Sequence, residues 1–163
     1  MKKVKEEVPY IPEKAKELFP KVDFADTFST TNHSNTMEEI ANLVFNTSPK
    51  WVEALFALRN RIVKVFGLKT SLPDDYTGEF RVGGYVKFFK IYSISEQEVI
   101  MGADDSHLNF RAIIANTSAS SSNIKVTTLV RFNNAMGRIY MGIIKPFHRL
   151  VVMQMVKNAY SKS

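Results

Sequence analysis

The chain contains no cysteine among its 163 residues, which excludes a disulfide framework and any thiolate metal site. This absence fits a reducing compartment, and we expect a cytoplasmic location. No apolar run approaches the ~20 residues of a membrane span, so we expect no membrane partner. The first ten residues mix lysine and glutamate without an apolar core, and they predict no signal peptide.

Charge is also not clustered, since no run of lysine and arginine exceeds two residues. The net charge of +6 and the pI of about 9.5 suit either a polyanionic partner or a lysine-rich soluble surface. Because no nucleic-acid recognition motif accompanies this charge, we expect no nucleic-acid partner. The histidines, His33, His107 and His148, lack metal-ligand spacing, so we expect no metal and no cofactor.

At 45% hydrophobic residues, the chain has enough apolar side chains to bury a substantial core. Its length predicts a single domain over residues 21–163. Residues 1–20, which three prolines interrupt, are expected to form a peripheral arm. Weak alternation over residues 22–28 predicts a short first strand.

Two helices are predicted after that strand. Thr36 and Glu39 have the spacing of a capping box, so the first helix begins there. Pro49 opens the second helix, in which apolar residues recur every three or four positions until Gly67 stops it. Residues 68–84 are predicted to form a loop, and loops of this length are often functional or mobile.

From Tyr85 the apolar pattern alternates, which predicts an antiparallel sheet. Pro146 then predicts the start of a long last helix, whose apolar stripe must pack on the sheet. We expect Leu150 to be buried in that contact, so that Leu150→Asp would unfold the domain. The five predicted strands cover residues 85–94, 98–104, 107–115, 124–133 and 137–144.

The segment Met101–Arg111 contains more ionisable side chains than a solvated turn requires. Asp104 and Asp105 predict a tight hairpin turn, and as neighbours on a strand they point to opposite faces rather than sharing a proton. His107 on the next strand suits either a proton shuttle or a hydrogen bond to a carboxylate. Arg111 is solvated if it lies on the outer face of the sheet, but it needs an acidic partner if it is buried.

A second polar segment opens the predicted last helix. His148 and Arg149 would lie in its first turn, where cations oppose the helix dipole and need carboxylate partners or an anionic ligand. We therefore expect the two segments to meet, with Arg149 or Arg111 paired to Asp104 or Asp105. The candidate polar or ligand-binding cluster is Asp104, Asp105, His107, Arg111, His148 and Arg149.

Five short motifs stand in one order along the chain. They are Trp51 with Leu58-Arg59-Asn60-Arg61, Gly102 with Asp104-Asp105, His107-Leu108-Asn109-Phe110-Arg111, Gly137-Arg138-Ile139-Tyr140 and Lys145-Pro146-Phe147-His148-Arg149. Over about residues 22–160 they resemble a bacterial family known as domain of unknown function 2867. The order of elements resembles, more broadly, the START-like or birch-pollen-allergen-like superfamily.

The resemblance implies an α+β helix-grip fold. In that fold a curved antiparallel sheet wraps round a long C-terminal helix and leaves a cavity, and here two helices are inserted after the first strand. Relatives of the family also occur fused behind NAD-binding dehydrogenase-like domains, but this chain has no Gly-x-Gly-x-x-Gly motif. The family commonly has an Asp where this chain has Asn109, and an amide cannot act as a general base.

These features lead us to expect a protein that binds a small, largely apolar ligand between the sheet and the C-terminal helix. An enzyme of the cyclase or hydratase type, with His107 or an Asp as acid and base, is one alternative. A protein-interaction module without a small ligand is the other, and the oligomeric state stays open. A deep pocket with converging polar groups would favour the first two functions, whereas a filled core would favour the third.

Overall fold

A computed structural model of the chain describes residues 3–47, 49–65 and 73–162. These residues form seven strands and four helices. The strands are β1 (Lys5–Glu7), β2 (Phe24–Thr30), β3 (Tyr85–Val86), β4 (Phe89–Ile94), β5 (Glu98–Asp104), β6 (Leu108–Asn116) and β7 (Ile124–Phe132). The helices are α1 (Glu13–Leu18), α2 (Met37–Phe45), α3 (Lys50–Val65) and α4 (Ala135–Lys157).

The strands form one antiparallel sheet in the order β1-β2-β7-β6-β5-β4-β3. Short turns join β4 to β5, β5 to β6 and β6 to β7, as the alternating pattern predicted. After β2 the chain forms α2 and α3, and it enters the sheet again at β3, which is the edge strand opposite β1. The predicted α+β class, with a curved antiparallel sheet, a long C-terminal helix and helices after the first strand, is confirmed.

The inner face of the sheet is the face that packs on α4 and α2. Alternate strand residues point to this face, because the side-chain period of a strand is two. The space between sheet and helices is filled by apolar side chains, many of which have no solvent exposure. This core includes Phe28, Val99, Met101, Ile114, Val126, Met155, Val156 and Ala159.

The outer face of the sheet is covered by the N-terminal segment. Ala15 and Phe19, in and just after α1, pack against buried Ile100, Ile113 and Leu129. β1 pairs with β2 at the edge of the sheet. The division into an arm and a domain stays a prediction, but the residues of the arm contribute a strand to the sheet and a cover to its outer face.

The strand predicted over residues 22–28 is β2, and the two helices predicted after it are present as α2 and α3. Thr36 caps α2, and both hydrogen bonds of the capping box with Glu39 are formed. α3 starts one residue after Pro49. Gly67 and residues 68–72 of the predicted loop lie outside the described residues, and residues 73–84 contain neither helix nor strand.

The prediction of a strand over residues 137–144 is wrong, because α4 already begins at Ala135 and continues through Pro146. The side chain of Asn134 accepts a hydrogen bond from the Gly137 amide at 3.1 Å and caps the helix. Gly137 also lets the first turn approach the preceding hairpin, since a Cβ atom there would lie 2.0 Å from the His107 carbonyl oxygen. The cap and this close approach fix the start of α4 eleven residues before Pro146.

The prediction that Leu150 is buried is also wrong, since 54% of this residue is exposed. The helical face that meets the sheet instead contains Tyr140, Met141, Met155 and Val156. The predicted stripe consisted of Phe147, Leu150, Val151, Met155 and Ala159; Met155 and Ala159 are buried as predicted, whereas Phe147 is 41% exposed. An early start of α4 exposes a second apolar face, which lies away from the sheet.

Candidate functional site

Arg111 lies on the outer face of the sheet and is nevertheless only 7% exposed. Its Nη1 atom donates to Asp104 Oδ1 at 2.7 Å and to the Phe110 carbonyl oxygen at 2.8 Å. The register of β5 and β6 causes this contact, because Asp104 pairs with Asn109 and Gly102 pairs with Arg111. The predicted ion pair between Arg111 and Asp104 is therefore confirmed.

Two aromatic rings bury the guanidinium group of Arg111. Its Cζ atom lies 4.1 Å from the ring centre of Tyr92 and 4.9 Å from that of Phe19. Burial raises the pKa of the Tyr92 hydroxyl, although the charge of Arg111 acts in the opposite direction. The cluster thus joins the N-terminal segment to the sheet by cation–π contacts, which is a structural role.

The remaining hairpin residues stabilise the turn and the start of α4. Asp105 Oδ1 accepts a hydrogen bond from the Ser106 amide at 2.7 Å, as expected of a turn former. His107 Nδ1 lies 2.9 Å from the side-chain nitrogen of Asn134, the residue that caps α4. The hairpin is consequently tied to the last helix through amide side chains rather than through charges.

The side chain of His148 extends from α4 towards the inner face of the sheet. Its Nε2 atom is 3.3 Å from Asp26 Oδ2 on β2, and both side chains are largely buried. Phe24 contacts the imidazole edge-on, with the ring centres 6.0 Å apart. Asp26 Oδ1 and His148 Nε2 are both buried without a hydrogen-bond partner, so the two side chains are close but not hydrogen-bonded. Among the described residues, the His148 and Asp26 side chains, at 18% and 14% exposure, form the least exposed of the ion pairs.

Arg149 points to the edge of the sheet, where its Nη2 atom donates to Glu6 Oε1 on β1 at 3.0 Å. This hydrogen bond and the charge of Glu6 raise the pKa of Arg149. His148 and Arg149 therefore have carboxylate partners, but not the predicted ones. They lie in the middle of α4 rather than at its start, so the expected meeting with the acidic hairpin is wrong.

The structure thus divides the six predicted site residues among separate places. Asp104 and Arg111 lie on the outer face, Asp105 and His107 lie in the turn, and His148 and Arg149 face β2 and β1. A ligand-binding role for them stays a prediction. Sequence reasoning missed Asp26. It alternates with Phe24 and Phe28 along a strand and so lies on the same, apolar face, which indicates a buried carboxylate.

Grooves on the surface of the described residues include two that are open to solvent. One, of about 490 Å³, is lined by α2 and its flanks, including Glu39, Asn42 and Leu43. The other, of about 480 Å³, lies beside α3 and α4 and is lined by Trp51, Leu150 and Met153 among others. Neither groove lies between the sheet and α4, and neither is lined by Asp26 or His148.

Large apolar side chains are exposed along α4 and on the neighbouring helix. We call this set the α3–α4 surface. Trp51 and Leu150 line the same groove, which makes the surface continuous between the two helices. Contiguous exposed apolar area of this kind marks interaction sites in soluble proteins. Its members are Trp51, Leu58, Met136, Ile139, Ile143, Phe147 and Leu150, which are 37–54% exposed.

Within the described residues, no three histidine, aspartate or glutamate side chains form a group that could hold a metal ion. No helix among the same residues has the length and apolar character needed to cross a membrane.

The fold defines an α+β protein in which an antiparallel sheet is covered by a long C-terminal helix. A family model described as "Protein of unknown function (DUF2867)" matches residues 18–155, and the chain belongs to this family. No curated protein and no solved structure matches the chain.

Proposed function

We propose that the chain is a protein-interaction module, which binds another folded protein chain through the α3–α4 surface. One observation carries this proposal: five large apolar residues of α4 are exposed on the side that faces away from the sheet. Side chains in such a surface contribute to stability only when a partner removes them from water. An apolar protein surface is the partner that fits this chemistry.

The filled inner face supports the same proposal over a small-ligand protein. The side chains that would line a cavity beneath α4 contact one another instead, and Phe28, Met101 and Ile114 have no exposure. An enzyme of the cyclase or hydratase type would need space beside an acid–base pair. The buried pair of Asp26 and His148 lines neither the groove beside α2 nor the groove beside α3 and α4.

We further propose that the family falls within the START-like superfamily, as a member whose cavity has been filled. The support is the helix-grip arrangement of one curved antiparallel sheet and one long C-terminal helix. A bacterial origin and a cytoplasmic location stay predictions.

Site-specific photo-crosslinking in cells tests the interaction module. A benzophenone residue placed at Ile139, in the α3–α4 surface, should give adducts heavier than the chain itself. The control position is Glu17, which is exposed on α1 on the other side of the sheet and should give none. Adding Leu150→Asp to the Ile139 probe should remove the adducts, because a charge in an apolar interface is costly.

Two results would contradict this function. Equal adducts from both positions would show that the contact is not specific to the surface. Adducts that persist with Leu150→Asp would show that the contact does not use the α3–α4 surface around Leu150.

A further inference from the structure

The apolar residues exposed on α4 form one narrow stripe. They follow one another at steps of three, four, four and three residues, which keeps them on a single side of a helix. The helix has no acidic residue, and the stripe itself carries no charge. The five members are Met136, Ile139, Ile143, Phe147 and Leu150.

The spacing of the stripe is symmetric about Ile143. When two such helices lie antiparallel across a two-fold axis at this residue, Met136 meets Leu150 and Ile139 meets Phe147. Ile143 then meets its own copy. A two-fold interface needs a patch that is complementary to itself, and this order of side chains provides one.

The residues beside the stripe permit close approach of a second helix. A Cβ atom at Gly142 would meet nothing within 4 Å, so this position leaves open space beside the centre of the stripe. Three cations of α4 have contacts outside the stripe: Arg149 pairs with Glu6, Lys145 lies over the Phe24 ring and Arg138 lies over the Phe132 ring. Lys157 lines the groove beside Leu150, at the C-terminal end of the stripe and away from its centre at Ile143.

The area of the α3–α4 surface is sufficient for a specific dimer. Its seven residues are 37–54% exposed. Large apolar and aromatic side chains each have roughly 200 Å² to bury, so complete burial of all seven residues, with Trp51 and Leu58 of α3 at the rim, removes about 600 Å² from water on each copy. Two copies would bury about 1,200 Å² in total, which is the lower end of the range for specific interfaces.

We infer that the partner bound by the α3–α4 surface is a second copy of this chain, with the two α4 helices antiparallel about Ile143. This inference rests on the proposed function and names the occupant of the same surface. Each copy covers the stripe of the other, and the closed two-fold arrangement leaves no further copy of the stripe exposed.

Engineered cysteines test the geometry, and the cysteine-free chain makes each one unique. Ile143→Cys should form a disulfide-linked dimer under mild oxidation, because the two-fold axis places both sulfur atoms together. Lys145→Cys, an exposed position on the same helix but outside the stripe, is the control and should stay unlinked. Met136→Cys mixed with Leu150→Cys should link, whereas either variant alone should not. In the antiparallel pair, two copies of residue 136 are about 21 Å apart along the axis at 1.5 Å rise per residue.

Sedimentation velocity on the otherwise unaltered chain gives the second readout. We expect a dimer whose dissociation constant rises at least about tenfold with Leu150→Asp, because the carboxylate is then buried in an apolar contact. A monomer at every concentration, or self-linked Met136→Cys in place of the mixed pair, would overturn the inference. If the chain is a monomer but the Ile139 probe still gives heavier adducts that Leu150→Asp removes, the interaction module stands and only its partner is wrong.

Discussion

Replacement of Asp104 by Asn removes the charge that compensates a buried arginine. The guanidinium group of Arg111 is held by Asp104, by the Phe110 carbonyl oxygen and by two aromatic rings, and its Nε atom has no hydrogen-bond partner. The loss of its anionic partner therefore leaves the Arg111 cation buried, where water cannot fully solvate it. We expect Asp104→Asn to lower the free energy of unfolding.

The exposures of the two side chains set the size of that loss. A fully buried pair that loses one partner costs about 3–5 kcal/mol, whereas an exposed pair is worth below about 1 kcal/mol. The Arg111 side chain is 8% exposed but that of Asp104 is 51% exposed, so water replaces part of the interaction. We expect a loss of about 1–2 kcal/mol, which corresponds to a fall in Tm of about 3–6 °C for a chain of this length.

Urea unfolding followed by far-ultraviolet circular dichroism measures this change. The matched control is Asp105→Asn at the neighbouring position, where an amide oxygen can still accept the hydrogen bond from Ser106. The control should stay within about 0.5 kcal/mol of the unaltered chain. Equal losses for both variants, or no loss for Asp104→Asn, would refute the structural role assigned to the Arg111 cluster.

Three further changes test other contacts. Phe19→Ala should cost about 3–5 kcal/mol in the same urea assay, because Phe19 is buried between α1 and the sheet and covers Arg111. Glu7→Gln should flatten the dependence of Tm on acid pH: burial acts to raise the pKa of Glu7, but its bonds to Lys125 and Ser29 lower it overall. The carboxylate of Glu7 therefore stabilises the fold above its unfolded pKa of about 4.5, and this stability is lost as the pH falls through the lower folded value. Leu150→Asp in dilute monomeric protein should change the free energy of unfolding by below about 1 kcal/mol, whereas Val156→Asp, at a position with no exposure, should prevent folding.

The sheet was predictable from sequence because short polar turns separate its apolar segments. β5 and β7 begin where these segments begin, at Glu98 and Ile124, and both faces of each strand contain buried side chains. The capping box of Thr36 and Glu39 was likewise readable, because both of its hydrogen bonds are local. Local patterns of this kind depend little on the rest of the fold.

The start of α4 was not predictable from sequence. Its local residue preferences indicated a strand followed by a helix at Pro146, whereas the contact of Gly137 with the distant His107 carbonyl favours an earlier helix start. Ile139, Ile143 and Ile144 favour a strand, and Pro146 resembles a helix start. The helix forms instead because Asn134 caps it and Gly137 packs against the carbonyl of His107. Tertiary contacts override propensity in this way, and Pro146 is accommodated on the exposed side of α4.

The partners of the polar residues were only partly predictable. Arg111 finds Asp104 across a hairpin, so the register of two consecutive strands determines that pair. Asp26 and His148 are 122 positions apart, and their contact depends on where α4 crosses β2. Only the place of Asp26 on the apolar phase of its strand signals a buried partner.

Native mass spectrometry of the chain, purified from its own cells without denaturation, shows whether the α3–α4 surface holds a protein partner. If the α3–α4 surface binds protein, the spectrum should show the chain joined to another chain, at twice its mass of 18.6 kDa when the partner is a second copy. We also expect no bound small molecule, since apolar side chains fill the inner face. A single chain that carries an apolar small molecule in constant ratio would contradict the proposed function.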